Sequence, residues 1–264
     1  MTKLGSRRIK HKEMPLTAHL EELRWVLIRC FCAVIICAIP CGIFWREIFD
    51  LIALWPLSLA DPAPVLIFTA PTEAIFFVFK IALTCGFILS SPFIFYQVWR
   101  FIAPGLYKKE KTVILPVVIA STVCFIAGIT FCYFLLPIIL EFLIRFAGGL
   151  IEPYFRIGEY FGFLIRMCIV FGLAFELPVV SFALSKMGVI NHKFLIRYFR
   201  HAIVFMFIAA AILTPTPDAL SQILLGLPLV GLYGLSIFIA WLAGGKSRKA
   251  AGVEQNDEST DVMQ

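Results

Sequence analysis

Six apolar stretches, each long enough to cross a bilayer, leave this chain little choice of surroundings. A spanning helix needs about 20 mostly apolar residues, because about 30 Å of hydrocarbon is crossed at about 1.5 Å per residue. Spans are predicted at residues 25–44, 75–98, 112–144, 161–184, 196–213 and 219–242. Lipid offers backbone groups no hydrogen bonds, so the predicted fold class is all-α: a polytopic membrane protein with six transmembrane helices. Composition agrees, since 15% of the residues are charged where a soluble domain carries about a quarter. One six-helix domain is expected over residues 15–243, after a basic tail at 1–14 and before a disordered polar tail at 244–264. The last two spans are marginal. After Arg200 and His201 only residues 202–213 remain before a Thr-Pro-Thr-Pro turn, and Pro228 interrupts the sixth, so local thinning of the bilayer is expected.

Basic residues set the orientation. The N-terminal segment, the 99–111 loop, the 186–200 loop and the C-terminal segment hold 18 of the 23 Lys and Arg. Positive charge stays inside, which predicts that both termini are cytoplasmic. The polar, basic start and the lack of a small-residue cleavage site after the first apolar run predict no cleaved signal peptide. With no transit peptide, a bacterial inner (cytoplasmic) membrane is favoured over a plastid. All eight cysteines lie in apolar runs without CxxC pairs, and they are read as small buried hydrophobes, not as a metal or redox site. No HExxH, GxSxG or P-loop is present, so neither an enzyme nor a cofactor is predicted. The lipid bilayer is an expected partner and nucleic acid is not.

Between two apolar runs lies Gln97–Lys111, QVWRFIAPGLYKKEK. A loop needs lysines for orientation, but not Trp99, Phe101 and Tyr107 around a Pro-Gly turn, so this one reads as a recognition surface. Glu110 stands among Lys108, Lys109 and Lys111, and Glu22 also lies near the basic interface. A cationic ligand would be repelled there unless acids met it directly. Guanidinium suits such acids, because it forms bidentate, charge-assisted hydrogen bonds with carboxylate. The residues thus suggest capture of an Arg-containing peptide, against local salt bridges for Glu110 and helix capping for Glu22. Glu176, beside Pro178 in the fourth span, is a functional candidate because ionisable groups are costly in lipid. Its alternative role is a protonated carboxyl bonded to a backbone carbonyl that Pro178 frees. Gln222, one turn into the sixth span, suits contact with a partner helix, against packing within the chain. The proline-dense 45–71 loop is expected to be a stiff outer cap. A small-molecule or ion secondary transporter, with Glu176 and Lys80 as its coupling site, is the alternative function.

Four motifs, HLEELR (19–24), FIAPGLYKKEK (101–111), FGLAFELP (171–178) and LTPTPDALSQ (213–222), together resemble TatC, the multispanning subunit of the twin-arginine protein translocase. The resemblance implies a cup-shaped six-helix receptor for folded proteins that bear twin-arginine signal peptides. It implies that Glu22 and Glu110 recognise the two arginines, with Arg24 and Phe101 shaping the site. Glu176 takes the place of the family's intramembrane glutamate. Thr214 and Gln222 fall on the surface that docks single-span TatA- and TatB-type partners, in complexes with several copies. Pro56 corresponds to an outer-loop proline of structural importance. Transport would draw on the proton-motive force. One departure is Leu232-Tyr233-Gly234, where many relatives carry a glutamate at the third place.

Overall fold

Each apolar stretch closes its own backbone hydrogen bonds, and all six are helical in the computed structural model, which describes residues 16–59, 64–102, 114–146, 154–213 and 219–261. The first span is α1 (Leu16–Ile43), which extends to the N-terminal side of the predicted span. Then come α2 (Trp45–Phe49), a π-helical turn at Asp50–Leu54, α3 (Trp55–Ser58) and β1 (Val65–Ile67). The second and third spans are α4 (Pro71–Ile102) and α5 (Ile114–Phe146), followed by β2 (Tyr154–Arg156). The fourth span is two helices, α6 (Ile157–Ala174) and α7 (Leu177–Lys186), broken at Phe175 and Glu176. Gly188, at φ 72°, ends α7: its N–H donates to the Ser185 carbonyl and that of Val189 to Leu184. The fifth and sixth spans are α8 (His192–Leu213) and α9 (Ala219–Asp261).

Two expectations differ from this outcome. Pro228 lies inside α9 without ending it, as membrane helices allow where neighbours re-satisfy the freed backbone. The helix also continues past residue 243, where composition predicts a disordered tail; Ala250, Ala251, Glu254 and Gln255 are good helix formers.

The fourth span is the axis of the bundle. Half of its apolar window is buried, against 17% for α1 and for α8, which turn most of their surface outward. Met167 and Phe171 of α6 are wholly enclosed, among Phe77, Ile81, Cys132, Leu136 and Leu225 of α4, α5 and α9. Phe31, Ile36, Ile39 and Ile43 of α1 are exposed, as a lipid-facing surface requires.

Small residues let the helices approach. Gly86 of α4 faces Ala38 of α1, and Gly42 of α1 faces Ala82 of α4, so two small-xxx-small pairs meet in antiparallel register. A Cβ on Gly86 would lie 2.7 Å from the Ala38 backbone nitrogen, which no rotamer change relieves. Gly86→Ala is expected to destabilise the protein by about 1–3 kcal/mol, read as a lower Tm in detergent. Gly128 of α5 meets the Phe171 carbonyl in the same way, at 2.7 Å, and Gly172 of α6 accepts the Phe125 ring, at 2.6 Å.

At the end of the bundle opposite the basic loops, side chains tie α4, α5 and α6 together. β1 and β2 pair in parallel, Val65 with Tyr154 through Ile67 with Arg156. Glu73, in the first turn of α4, accepts from the Thr69 N–H (2.9 Å), the Thr69 hydroxyl (3.1 Å) and the Gly158 N–H (2.9 Å). Arg156 Nε donates to the Thr69 hydroxyl at 2.9 Å, and its Nη1 to Glu159 at 2.9 Å. Tyr133 of α5 donates its hydroxyl to the Leu51 carbonyl and stacks on Trp55. Pro56, in the first turn of α3 where no N–H is needed, is fully buried.

Candidate functional site

Two separate motifs meet at the basic end. α1 brings Glu22, Trp25, Val26 and Arg29, and the last turns of α4 bring Gln97, Arg100 and Phe101; together they line a cavity of about 240 Å³. That is below the 300–1,000 Å³ of small-molecule pockets and suits one inserted side chain. Phe101 stacks on His19 with centroids 4.3 Å apart and rings 6° from parallel, which joins the ends of the two helices. Gln97 is buried beneath them.

Glu22 is half-buried, and among the described residues its ionic neighbour is His19 Nδ1, at a loose 3.9 Å. Arg29 and Arg100 line the same space but form no ion pair with Glu22. The carboxylate thus keeps its acceptor capacity beside its own arginines, an arrangement able to receive a guanidinium. Arg24 is exposed and does not line the cavity. Glu110 lies outside the described residues.

Glu176 occupies the break between α6 and α7. Its N–H donates to the Leu173 carbonyl at 3.1 Å, a tight turn, and its carbonyl accepts from Val180 at 2.8 Å, which starts α7. The side chain is only 8% exposed. Among the described residues its Oε1 has no hydrogen-bond partner. Across the bundle, the buried hydroxyl of Ser121 on α5 accepts from the indole N–H of Trp99 at 2.9 Å. Nothing in the sequence marks Ser121 except its place on a buried stripe of α5: Ser121, Phe125, Gly128 and Cys132 recur at helical spacing.

Gln222 donates its amide to the Phe207 carbonyl at 2.8 Å, and Tyr233 its hydroxyl to Leu195 at 3.0 Å, so α9 is fastened to both halves of α8. The Gln222 amide retains a carbonyl oxygen and a second N–H. Thr214 lies outside the described residues. No group of three or more His, Cys, Asp or Glu able to hold a metal occurs among the described residues.

Comparison with known proteins decides the family. The family model for the Sec-independent protein translocase protein (TatC) matches residues 18–228. The chain belongs to the TatC family. Its relatives include the Sec-independent protein translocase protein TatC of Helicobacter pylori (strain J99), 40% identical over 243 residues, 92% of this chain and 95% of that protein. The TatC protein of Aquifex aeolicus is 39% identical over 239 residues, covering 89% and 98% respectively. A crystal structure of the twin-arginine translocase receptor TatC superposes with a TM-score of 0.78 at 39% identity, covering 85% of this chain and 99% of that one. As a TatC family member the chain is a multi-pass membrane protein and a component of a Sec-independent translocase. The family match spans Glu22, Phe101, Glu176 and Gln222, so the cavity and the broken fourth span both lie within the shared core.

Proposed function

We propose that this chain binds the arginine pair of twin-arginine signal peptides at its basic, cytoplasmic end and passes the attached folded cargo to a pore built with single-span partners. The observation that carries this reading is Glu22: a carboxylate with a loose 3.9 Å neighbour, in a side-chain-sized cavity closed by Phe101. One guanidinium there would form a bidentate, charge-assisted pair, while Arg29 and Arg100 repel any cation that lacks this geometry. Glu110, nine residues after Phe101, would meet the second arginine. Arg24, exposed one residue before Trp25, would shape the approach.

Once the arginines are held, the apolar part of the signal peptide enters the bundle, and TatA- and TatB-type helices assemble against α8 and α9. Thr214 and the remaining amide groups of Gln222 offer those partners hydrogen bonds inside the membrane. Several copies would form one complex. Membrane potential, worth about 2.3 kcal/mol per charge per 100 mV, supplies energy as part of the proton-motive force. The excess of Lys and Arg favours cytoplasmic termini in a bacterial inner membrane. No observation favours a small-molecule transporter, since Lys80 is exposed and forms no ion pair with Glu176.

The test is binding of a labelled twin-arginine signal peptide to the purified protein in detergent, beside a Lys-Lys version. Arg-selective binding that Glu110→Gln weakens is the expected result. Equal affinity for both peptides, untouched by the substitution, would overturn the proposal.

A further inference from the structure

The end of the bundle opposite the basic loops holds a larger cavity, of about 760 Å³, between the short cap helices and α4. Its floor is apolar and closed, because Leu57 of α3, Phe77 of α4 and Ile157 of α6 are all buried. Phe77 is fixed there by edge-on ring contacts with Trp45 (6.3 Å), Phe49 (5.2 Å) and Phe161 (4.5 Å). It stands six residues into α4, about 9 Å from the start of that helix, whereas α2 and the π-helical turn follow directly on the end of α1. The cavity therefore runs from the level of the lipid headgroups down to that of the acyl chains.

The rim carries two opposite charges. Arg46 and Asp50 both line the cavity and both are exposed. The Asp50 N–H donates to the Arg46 carbonyl, which sets the two residues one turn apart, with about 5–6 Å between Cβ atoms. Among the described residues neither forms an ion pair, with the other or with any third group. Arg46 lies over the Trp45 ring, 5.5 Å from its centroid, which holds the cation at the rim. An apolar shaft beneath a cation and an anion one turn apart is complementary to a zwitterionic amphiphile. A soluble metabolite would strip its polar groups of water against the floor. An anionic lipid would satisfy Arg46 but set its phosphate beside an uncompensated Asp50.

We propose that this cavity binds a zwitterionic phospholipid with a primary ammonium headgroup, drawn from the leaflet at this end of the bundle. Its phosphate sits on Arg46, its ammonium on Asp50, and one acyl chain lies along Leu57 and Phe77. A primary ammonium donates three hydrogen bonds, which suits a carboxylate; a choline headgroup has none to give, and Arg46 already covers the Trp45 ring that would attract it. The site is separate from the α1–α4 cavity at the basic end and does not rest on the receptor reading.

The test uses the full-length protein, purified in detergent and washed free of lipid. Phosphatidylethanolamine with a diazirine in its acyl chain is bound and photolysed, and the crosslinked residues are mapped by mass spectrometry. Unlabelled phosphatidylethanolamine, phosphatidylcholine and phosphatidylglycerol serve as competitors. Crosslinks are expected on the segments that hold Leu57, Leu66 and Phe77, and phosphatidylethanolamine should displace the label about fivefold more readily than either of the others. Arg46→Gln should weaken the binding of all three lipids, whereas Asp50→Asn should remove only the preference for ethanolamine. Both variants should keep the wild-type Tm without added lipid, since neither residue is buried. The wild-type crosslinks and competition decide the question by themselves should either variant fold poorly. Crosslinks spread evenly around the helices, as from annular lipid, would overturn the site. Equal displacement by the three lipids, or an ethanolamine preference that survives in Asp50→Asn, would overturn the headgroup assignment and the proposal with it.

Discussion

Glu22→Gln is expected to weaken binding of a twin-arginine peptide by roughly 10- to 150-fold, while the Tm in detergent stays at its wild-type value. The side chain keeps its length and one acceptor oxygen but loses the charge that makes both guanidinium bonds strong. Losing two charge-assisted bonds in favour of one neutral bond costs about 1.5–3 kcal/mol, which sets the range. Stability is spared because Glu22 is half-buried and, among the described residues, its ionic neighbour His19 stands at a loose 3.9 Å. Glu22→Asp should fall between the two, since it keeps the charge but draws it back from the cavity by one methylene. Fluorescence anisotropy of a labelled peptide against each variant measures this, with the Lys-Lys peptide as reference. A Gln variant that binds as tightly as the wild type would move recognition away from the α1–α4 cavity.

Glu176→Leu should separate transport from stability. Leucine is close to glutamate in volume, and replacing a buried charged or polar group with a well-packed apolar one is often neutral or stabilising. The helix break does not depend on the side chain, because Pro178 supplies no N–H and the Glu176 backbone bonds are independent of it. The Tm is thus expected to hold or rise. Transport of a twin-arginine precursor into inverted membrane vesicles is expected to fall by about tenfold or more, the equivalent of one charged hydrogen bond of about 1.5 kcal/mol. Glu176→Gln, which keeps a polar side chain of the same length at the break, should retain more transport than the leucine variant. A leucine variant that transports normally would reduce Glu176 to a packing residue.

Hydropathy made the six spans legible, because length and apolar content are all that crossing a bilayer demands. It could not show that the fourth span breaks at Glu176, since Pro178 occurs in the same apolar setting as Pro228, which α9 absorbs without ending. The meeting of Glu22 with Phe101 was legible only through motif resemblance. They stand 79 positions apart, and no periodicity links two helix ends that join only in the fold. Ser121 was not legible at all: a lone hydroxyl in an apolar run most often bonds its own helix, as Thr122 and Thr130 do here. Its partner is Trp99, which stands 22 positions before it on another helix. Glu73 gives no such signal by spacing either, yet it clamps the turn before α4 to the first turn of α6.

That clamp has a mechanical consequence. α4, α5 and α6 are pinned at one end by paired strands, by Glu73 and by the Tyr133–Leu51 bond. At the other end, among the described residues, α1 and α4 share the His19–Phe101 ring stack, and α4 and α5 share an indole hydrogen bond and the Phe95–Phe125 ring contact. Rods pinned at one end part like the jaws of tweezers, with all of the travel at the loose tips. Across a length of about 30 Å, a tilt of roughly 5° moves a tip by about 2.6 Å. That is enough to take Trp99 out of hydrogen-bonding distance of Ser121 while the pinned end stays closed, so a gentle splaying at the mouth does not unseal the far side.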